Sequence, residues 1–222
     1  MEILNLGSHR IGVRFPEKGL CKGKNPAILL NDGELIEQLN LRTERAVLVG
    51  VYPNNRLSEY TPWPEPAFRP GTPDFGGQLG QYHQELNNEI LPALIDEYAL
   101  DTEKLAYGGY SLGGLAATMS LWETDAFAAV FSLCGSFWYP GVADFIEEHV
   151  PKNYSAQVYL QNGIREGEGH NNRLCDAYSY AQRIHTALQA TCGAKTVLDD
   201  YGHHDRQSER LNAALRWVER VL

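Results

Sequence analysis

Short apolar runs alternate along the chain with stretches whose apolar residues recur at helical spacing. Such runs are typical of buried parallel strands, and polar–apolar alternation is typical of a half-buried strand. Predicted strands lie at residues 8–15, 26–30, 46–51, 127–133, 158–160 and 195–198, and one more leads into Gly108. Predicted helices cover residues 78–98 (with a kink or restart at Pro92), the stretch after Ser111, residues 173–190 and a closing stretch from Leu211 to Leu222. This alternation predicts an α/β protein with a doubly wound, mostly parallel sheet, helices on both faces and active groups at the carboxyl ends of the strands.

One strand–turn–helix transition carries a candidate nucleophile. The pentapeptide Gly109-Tyr110-Ser111-Leu112-Gly113 follows an apolar run and precedes small and apolar residues. It has the G-x-S-x-G pattern of the nucleophile elbow of α/β-hydrolases, in which a sharp turn holds the serine in a strained conformation. A Cβ two residues before or after the serine would collide with neighbouring elements, so both positions need glycine. Ser111 is therefore the predicted nucleophile.

Length and composition indicate one globular unit. The 222 residues, 43% of them hydrophobic and 21% charged, are sufficient for one domain with a substantial core, and no repeat or linker divides them. We predict a single domain over residues 1–222. Within it, residues 52–77 combine many prolines with Trp63, Phe68 and Phe75, which favours a long structured loop over the site.

The charge balance and the N-terminus limit the partners. A formal net charge of −9 argues against binding to nucleic acid or to an anionic membrane surface. The first residues show no signal-peptide pattern, and no apolar run approaches membrane-spanning length. The cysteines show neither a C-x-x-C pair nor metal-ligand spacing. We expect a cytoplasmic enzyme that acts on a small molecule, and homo-oligomerisation stays open.

A serine nucleophile needs a histidine and an acid, which follow it along the chain in this fold in the order serine, acid, histidine. Of the seven histidines, only His203 and His204 follow a predicted strand and precede the final helix, and spacing alone does not choose between them. The acid is expected after the strand that ends near Gly163, where Glu166 comes first and Glu168 follows.

The oxyanion hole needs two backbone N–H donors. One is expected from Leu112, the residue after the nucleophile. The topology places the second in the turn after the strand at 26–30, near Gly33 and Glu34.

Several ordered motifs resemble the "putative esterase" family of α/β-hydrolases, which includes siderophore esterases, S-formylglutathione hydrolase, feruloyl and acetyl-xylan esterases and mycolyltransferases. They span nearly the whole chain and lie at residues 29–34, 56–63, 75–77, 109–115, 135–140, 163–166 and 202–205. The first motif departs from the family pattern at Asn31, where leucine is usual. The resemblance implies that Glu166 is the triad acid and places His204 at the histidine, with His203 as the alternative because the loop is about one residue shorter than the family pattern.

The sequence thus predicts a serine carboxylesterase that works through an acyl-enzyme and requires neither a metal nor an organic cofactor. An acyltransferase or thioesterase with the same triad is the alternative, and a non-catalytic binding protein on the same fold is a weaker one. Trp138, Tyr139, Trp63, Tyr60 and Phe75 are candidates for lining the substrate pocket, although each is more often a packing residue. The sequence does not identify the substrate.

Overall fold

A mixed eight-stranded sheet forms the centre of the fold, in a computed structural model that describes residues 1–68 and 71–222. Its strands are β1 Glu2–Leu6, β2 His9–Arg14, β3 Asn25–Asn31, β4 Val47–Tyr52, β7 Leu100–Tyr110, β8 Ala129–Leu133, β9 Gln157–Gly163 and β10 Lys195–Asp199; β5 Pro64–Glu65 and β6 Phe75–Gly76 form a separate antiparallel pair. The strands of the large sheet follow the order β1-β2-β4-β3-β7-β8-β9-β10, in which β2 runs antiparallel to both of its neighbours and all other pairs are parallel.

Helices cover both faces of the sheet because its central strands are apolar on both sides. They are α1 Leu35–Gln38, α2 Arg56–Glu59, α3 Leu79–Glu85, α4 Leu91–Tyr98, α5 Leu112–Glu123, α6 Val142–Glu148, α7 Ala177–Cys192 and α8 Gln207–Val221. One apolar cluster packs α3 to α7 against one face, and a second packs α1 and α8 against the other. The predicted fold class is confirmed: this is a doubly wound, mostly parallel sheet of the α/β-hydrolase type.

The kink expected at Pro92 takes the form of a wider helical turn. A π-helical turn, Leu86–Ile90, joins α3 to α4, and Pro92 occupies the first turn of α4. Proline has no N–H to donate to the preceding turn, so the regular hydrogen-bond ladder is interrupted there. The short elements β1, α1, α2 and α6 were not predicted, because too few residues repeat in each to produce a periodic pattern.

The proline-rich stretch at 52–77 contains α2 and the pair β5–β6. Arg69 and Pro70 in this stretch lie outside the described residues. Among the described residues, no helix combines the length and apolar character needed to cross a membrane. The single-domain boundary at 1–222 stays a prediction.

Candidate active site

The elbow between β7 and α5 presents Ser111 in a backbone conformation that few non-glycine residues adopt. Its φ of 59° and ψ of −123° place it outside the usual regions for an L-residue. The neighbouring glycines permit this turn: a Cβ on Gly109 would lie 2.4 Å from the carbonyl carbon of Gly113, and one on Gly113 would lie 2.9 Å from the Asn31 Cβ. The turn therefore has the close backbone contacts that the glycine pattern predicts.

His203 lies between Ser111 and Glu166. Its Nε2 is 3.1 Å from the Ser111 Oγ, and its Nδ1 is 2.8 Å from the Glu166 Oε2. The structure thus brings together three predicted residues, but with the alternative histidine rather than the favoured one. The ring of His204 stands edge-on to that of His203, with centroids 4.8 Å apart, and among the described residues it forms no hydrogen bond with Ser111 or Glu166. The one-residue difference follows from how the loop after β10 is held.

Arg210 of α8 holds that loop. This buried guanidinium pairs with Asp199 at the end of β10 and also donates to the Gly202 carbonyl and the Tyr110 hydroxyl. Tyr110 in turn donates to the His203 carbonyl. Burial alone would lower the pKa of Arg210, but the hydrogen bonds that Arg210 donates to Asp199 and to Tyr110 outweigh burial and raise the pKa. These contacts fix the backbone at 202–203 and direct the His203 ring toward Ser111.

The Glu166 carboxylate is buried and well supplied with donors. Its Oε1 accepts from the Gly163 N–H at 2.8 Å and from the Asn162 Nδ2 at 3.2 Å, while its Oε2 faces His203. Burial raises the pKa of Glu166, but the hydrogen bond and charge of His203 and the Gly163 N–H outweigh burial, so the pKa lies below its usual value. Glu166 is therefore an ionised hydrogen-bond acceptor at neutral pH. The other candidate acid, Glu168, pairs with Arg165 at the surface instead.

Two backbone N–H groups near Ser111 are free for an oxyanion. The Leu112 N–H belongs to the first turn of α5, which has no internal acceptor. Within the described ranges, the Glu34 N–H also has no acceptor. Gly33, however, was wrongly included, because its N–H donates to the Val51 carbonyl of the neighbouring strand at 2.9 Å. Glycine is needed at this position for packing, since a Cβ would lie 2.7 Å from the backbone of Gly50.

An ion pair joins the turn that contains Glu34 to α2. Arg56 Nε lies 2.7 Å from Asp32 Oδ1, and Arg56 Nη2 lies 2.9 Å from Asp32 Oδ2, in a bidentate arrangement. Nη2 also donates to the Tyr110 carbonyl, one residue before Ser111. Asp32 has a positive φ of 57°, which this pairing stabilises. Arg56 thus connects the β3–α1 turn directly to the elbow.

Comparison with known proteins identifies the family. Residues 9–217 match the sequence model of the Esterase family, described as "Putative esterase". The chain belongs to this esterase family. The family predicted from the sequence motifs is confirmed, and the protein is an ester-hydrolysing enzyme.

One curated relative is similar in sequence, and several solved structures share the fold. The Uncharacterized protein YbbA of Bacillus subtilis (strain 168) is 28% identical over 204 residues, which cover 83% of this esterase and 82% of YbbA. The siderophore hydrolase EstA from Aspergillus nidulans has a TM-score of 0.74 at 17% identity, covering 96% of this chain and 90% of EstA. An IroE-like serine hydrolase from Shewanella oneidensis has a TM-score of 0.69 at 18% identity, covering 96% and 74%.

Two cavities meet at Ser111 of this esterase. The larger, about 480 Å³, is lined by Phe68 and Trp138 and by polar residues that include Arg165 and His170. The smaller, about 260 Å³, lies on the side of Glu34 and Arg56. His203 lines both cavities, so a bound ester has space on either side of the serine.

Of the predicted pocket aromatics, only Trp138 lines the cavity at Ser111. Tyr60 is buried and its hydroxyl accepts from the Asp32 N–H, while the buried Tyr139 donates to the Trp63 carbonyl. Trp63 donates to the Pro140 carbonyl, and Phe75 packs against Trp138 from behind. These four side chains are packing residues: Tyr60, Phe75 and Tyr139 are buried, Trp63 is half-buried, and each polar one has a partner inside the protein. Phe68 was expected in the loop over the site but not among the pocket candidates; it lines this cavity, and its ring centroid lies 4.8 Å from that of Trp138.

Among the described residues, one group of potential metal ligands lies at the site: Cys134, Glu166 and His203, whose ligand atoms are within 4.8 Å of one another. Both His203 nitrogens already face Ser111 and Glu166. Burial and the charge of Glu166 raise the pKa of the Cys134 thiol, which keeps it protonated, whereas a metal binds the thiolate. The donor set therefore suits a hydrogen-bonded triad better than a metal.

Proposed function

We propose that this esterase is a serine carboxylesterase with Ser111 as nucleophile, His203 as general base and Glu166 as the acid that orients the histidine. One observation carries the proposal: the Ser111 Oγ, both His203 nitrogens and the Glu166 carboxylate form an unbroken chain of contacts at 3.1 and 2.8 Å. A nucleophile, a base and an oriented carboxylate within these distances are what acyl transfer needs.

The proposed reaction has two halves. In the first, His203 accepts the Ser111 proton as the Oγ attacks the ester carbonyl, and Glu166 stabilises the imidazolium. The N–H groups of Leu112 and Glu34 stabilise the oxyanion, and His203 returns the proton to the leaving alcohol. In the second, water attacks the acyl-enzyme, with His203 again as base, and Ser111 is regenerated.

The cavities favour a small-molecule ester as the substrate. The larger one is lined by two aromatic side chains, Phe68 and Trp138, and by polar and charged residues of both signs, which suits a flat or aromatic group that carries polar substituents. Because EstA is named a siderophore hydrolase, siderophore esters are the second class to test after simple p-nitrophenyl esters.

The test is the hydrolysis of p-nitrophenyl esters of increasing acyl length. Ser111→Ala and His203→Ala are expected to lower turnover by about three orders of magnitude or more, because removing either group disables the nucleophile. The neighbouring variant His204→Ala is the matched control and loses far less activity. Mass spectrometry after mixing with ester detects the acyl adduct on Ser111.

An inactive wild-type protein, or a Ser111→Ala variant as active as the wild type, overturns the proposal. If His204→Ala is inactive and His203→Ala is active, the base is misassigned. Products of transfer to added alcohols or thiols would indicate the acyltransferase.

A further inference from the structure

A second buried histidine lies behind the triad acid and takes no part in the proposed reaction. His185 of α7 is only 4% exposed, and its Nε2 lies 3.0 Å from the Asn162 Oδ1 on β9. Its Nδ1 is buried and has no hydrogen-bond partner among the described residues. This histidine therefore has a single polar contact, and that contact leads toward Glu166.

Asn162 connects His185 to the triad. Its Nδ2 donates to the Glu166 Oε1 at 3.2 Å, while its Oδ1 faces His185. An ionised carboxylate only accepts hydrogen bonds, so the amide must present its NH₂ group to Glu166. The carbonyl oxygen of Asn162 then requires a donor on the opposite side, and the His185 Nε2–H is that donor.

The protonation state of His185 agrees with this pattern. Burial lowers the pKa of His185 to about 4, against a weaker opposing effect of Glu166. At neutral pH the ring carries one N–H, and the contact with Asn162 requires it on Nε2. The Nδ1 is then a bare acceptor, as its buried position without a partner indicates.

We infer that His185 is a positioning residue, which fixes the Asn162 amide so that it holds the Glu166 carboxylate in line with His203. The inference rests on the proposed function. The Gly163 N–H donates to the same Glu166 oxygen, so loss of Asn162 leaves the carboxylate with one donor on that oxygen rather than none. His185 therefore improves the alignment of Glu166 with His203 but is not required for the two residues to pair.

Three substitutions at position 185 test the inference with short p-nitrophenyl esters. A glutamine amide nitrogen can reach the place of the histidine Nε2, whereas an asparagine amide nitrogen reaches only that of Nδ1. His185→Leu and His185→Asn are expected to lower kcat by about tenfold with KM nearly unchanged, a loss in the range produced by a small misplacement of a catalytic group. His185→Gln restores most of kcat.

Two controls separate positioning from stability. Leu188→Ala removes a buried side chain from the same helix without touching Asn162, so it lowers Tm but leaves kcat in place. In an Asn162→Ala background, His185→Leu should cause no further loss of kcat, because the residue through which it acts is absent.

Each outcome decides the matter. The inference fails if His185→Leu keeps the wild-type kcat, if glutamine and asparagine behave alike, or if the two losses at positions 162 and 185 multiply. A wild-type protein without Ser111-dependent activity would instead overturn the proposed function, which the Ser111→Ala comparison shows separately.

Discussion

Backbone sterics hold Ser111 in place, whereas side chains hold His203, although the two side chains meet at 3.1 Å. The serine stands on a turn whose glycines pack against each other within one short segment. The histidine stands on a loop positioned by Arg210, Asp199 and Tyr110, the last of which is 93 positions earlier in the sequence. One half of the site is therefore encoded locally and the other by distant contacts, and substitutions in the two halves should act differently.

The largest expected effect is on the histidine side. Arg210→Met leaves the Asp199 carboxylate without its cation and removes the donors to Gly202 and Tyr110, at a pair whose side chains are 2% and 18% exposed. We expect a loss of about 3 kcal/mol in the free energy of unfolding, because removing one partner of a buried ion pair leaves the other charge without a counter-charge. Urea unfolding measures it, and turnover should fall as the loop loosens.

The control for Arg210 is Arg183→Met, because Arg183 pairs with Asp144 and Glu147 at the surface. Exposed pairs contribute less than about 1 kcal/mol. Equal losses for the two arginines would contradict the role of Arg210 in holding the loop.

On the serine side, Gly109→Ala should destabilise the elbow by about 2 kcal/mol, because the new Cβ overlaps backbone that has little room to move. That Cβ would lie 2.5 Å from the Gly113 carbonyl oxygen. Gly80→Ala is the matched change, since Gly80 is an exposed position of helix α3 and nothing lies within 4 Å of its Cβ. There alanine should stabilise by about 0.5 kcal/mol or more. Thermal unfolding checks the steric argument: Tm should fall in Gly109→Ala and rise in Gly80→Ala.

This contrast explains which parts of the site could be predicted from sequence. The elbow was predictable because the close approach of Gly109 to Gly113 lies within five residues, although Gly113 also packs against Asn31 of β3. Apolar runs likewise predicted β3, β4 and β8, which are buried on both faces. The orientation of the loop after β10 depends on Arg210 and Tyr110, and neither carries a local signal that favours His203 over His204.

Other site predictions failed for the same physical reason, because they depend on contacts between residues that are distant in the sequence. The Gly33 N–H is unavailable because a neighbouring strand accepts it, which only the sheet register reveals. Tyr60 and Tyr139 do not line the two cavities at Ser111, because their hydroxyls have partners inside the protein, and a tyrosine in a loop shows no such preference in sequence. In the sequence, His185 is a histidine within a predicted helix, and only the fold shows that Asn162 lies beside it.

A third substitution tests whether the turn that contains Glu34, the second proposed oxyanion donor, also depends on distant side chains. Arg56→Lys replaces a bidentate partner of Asp32 with a point charge, which leaves the turn before Glu34 less firmly held. We expect kcat to fall about tenfold, equivalent to about 1.4 kcal/mol, with little change in Tm. The control is Arg45→Lys. Arg45 is an exposed residue just before β4, at the end of that strand opposite to the site. Wild-type kcat in Arg56→Lys would mean that the backbone alone fixes this turn.

The smallest effect concerns acid stability. The pKa of His185, near 6.5 when unfolded, is lowered to about 4 by burial in the native protein. Between these values the unfolded chain binds a proton that the folded chain does not, so stability that is present above pH 6.5 is lost as pH falls toward 4. The loss attributable to His185 between pH 7 and pH 5.5 should be about 1 kcal/mol. His185→Gln has no titrating group there, so urea unfolding at pH 7, 6 and 5.5 should show a shallower decline than in the wild type. The control for the loss of a histidine is His149→Gln, at an exposed position. Parallel declines for the wild type and His185→Gln would contradict the prediction, because they would show that His185 can be protonated within the native structure.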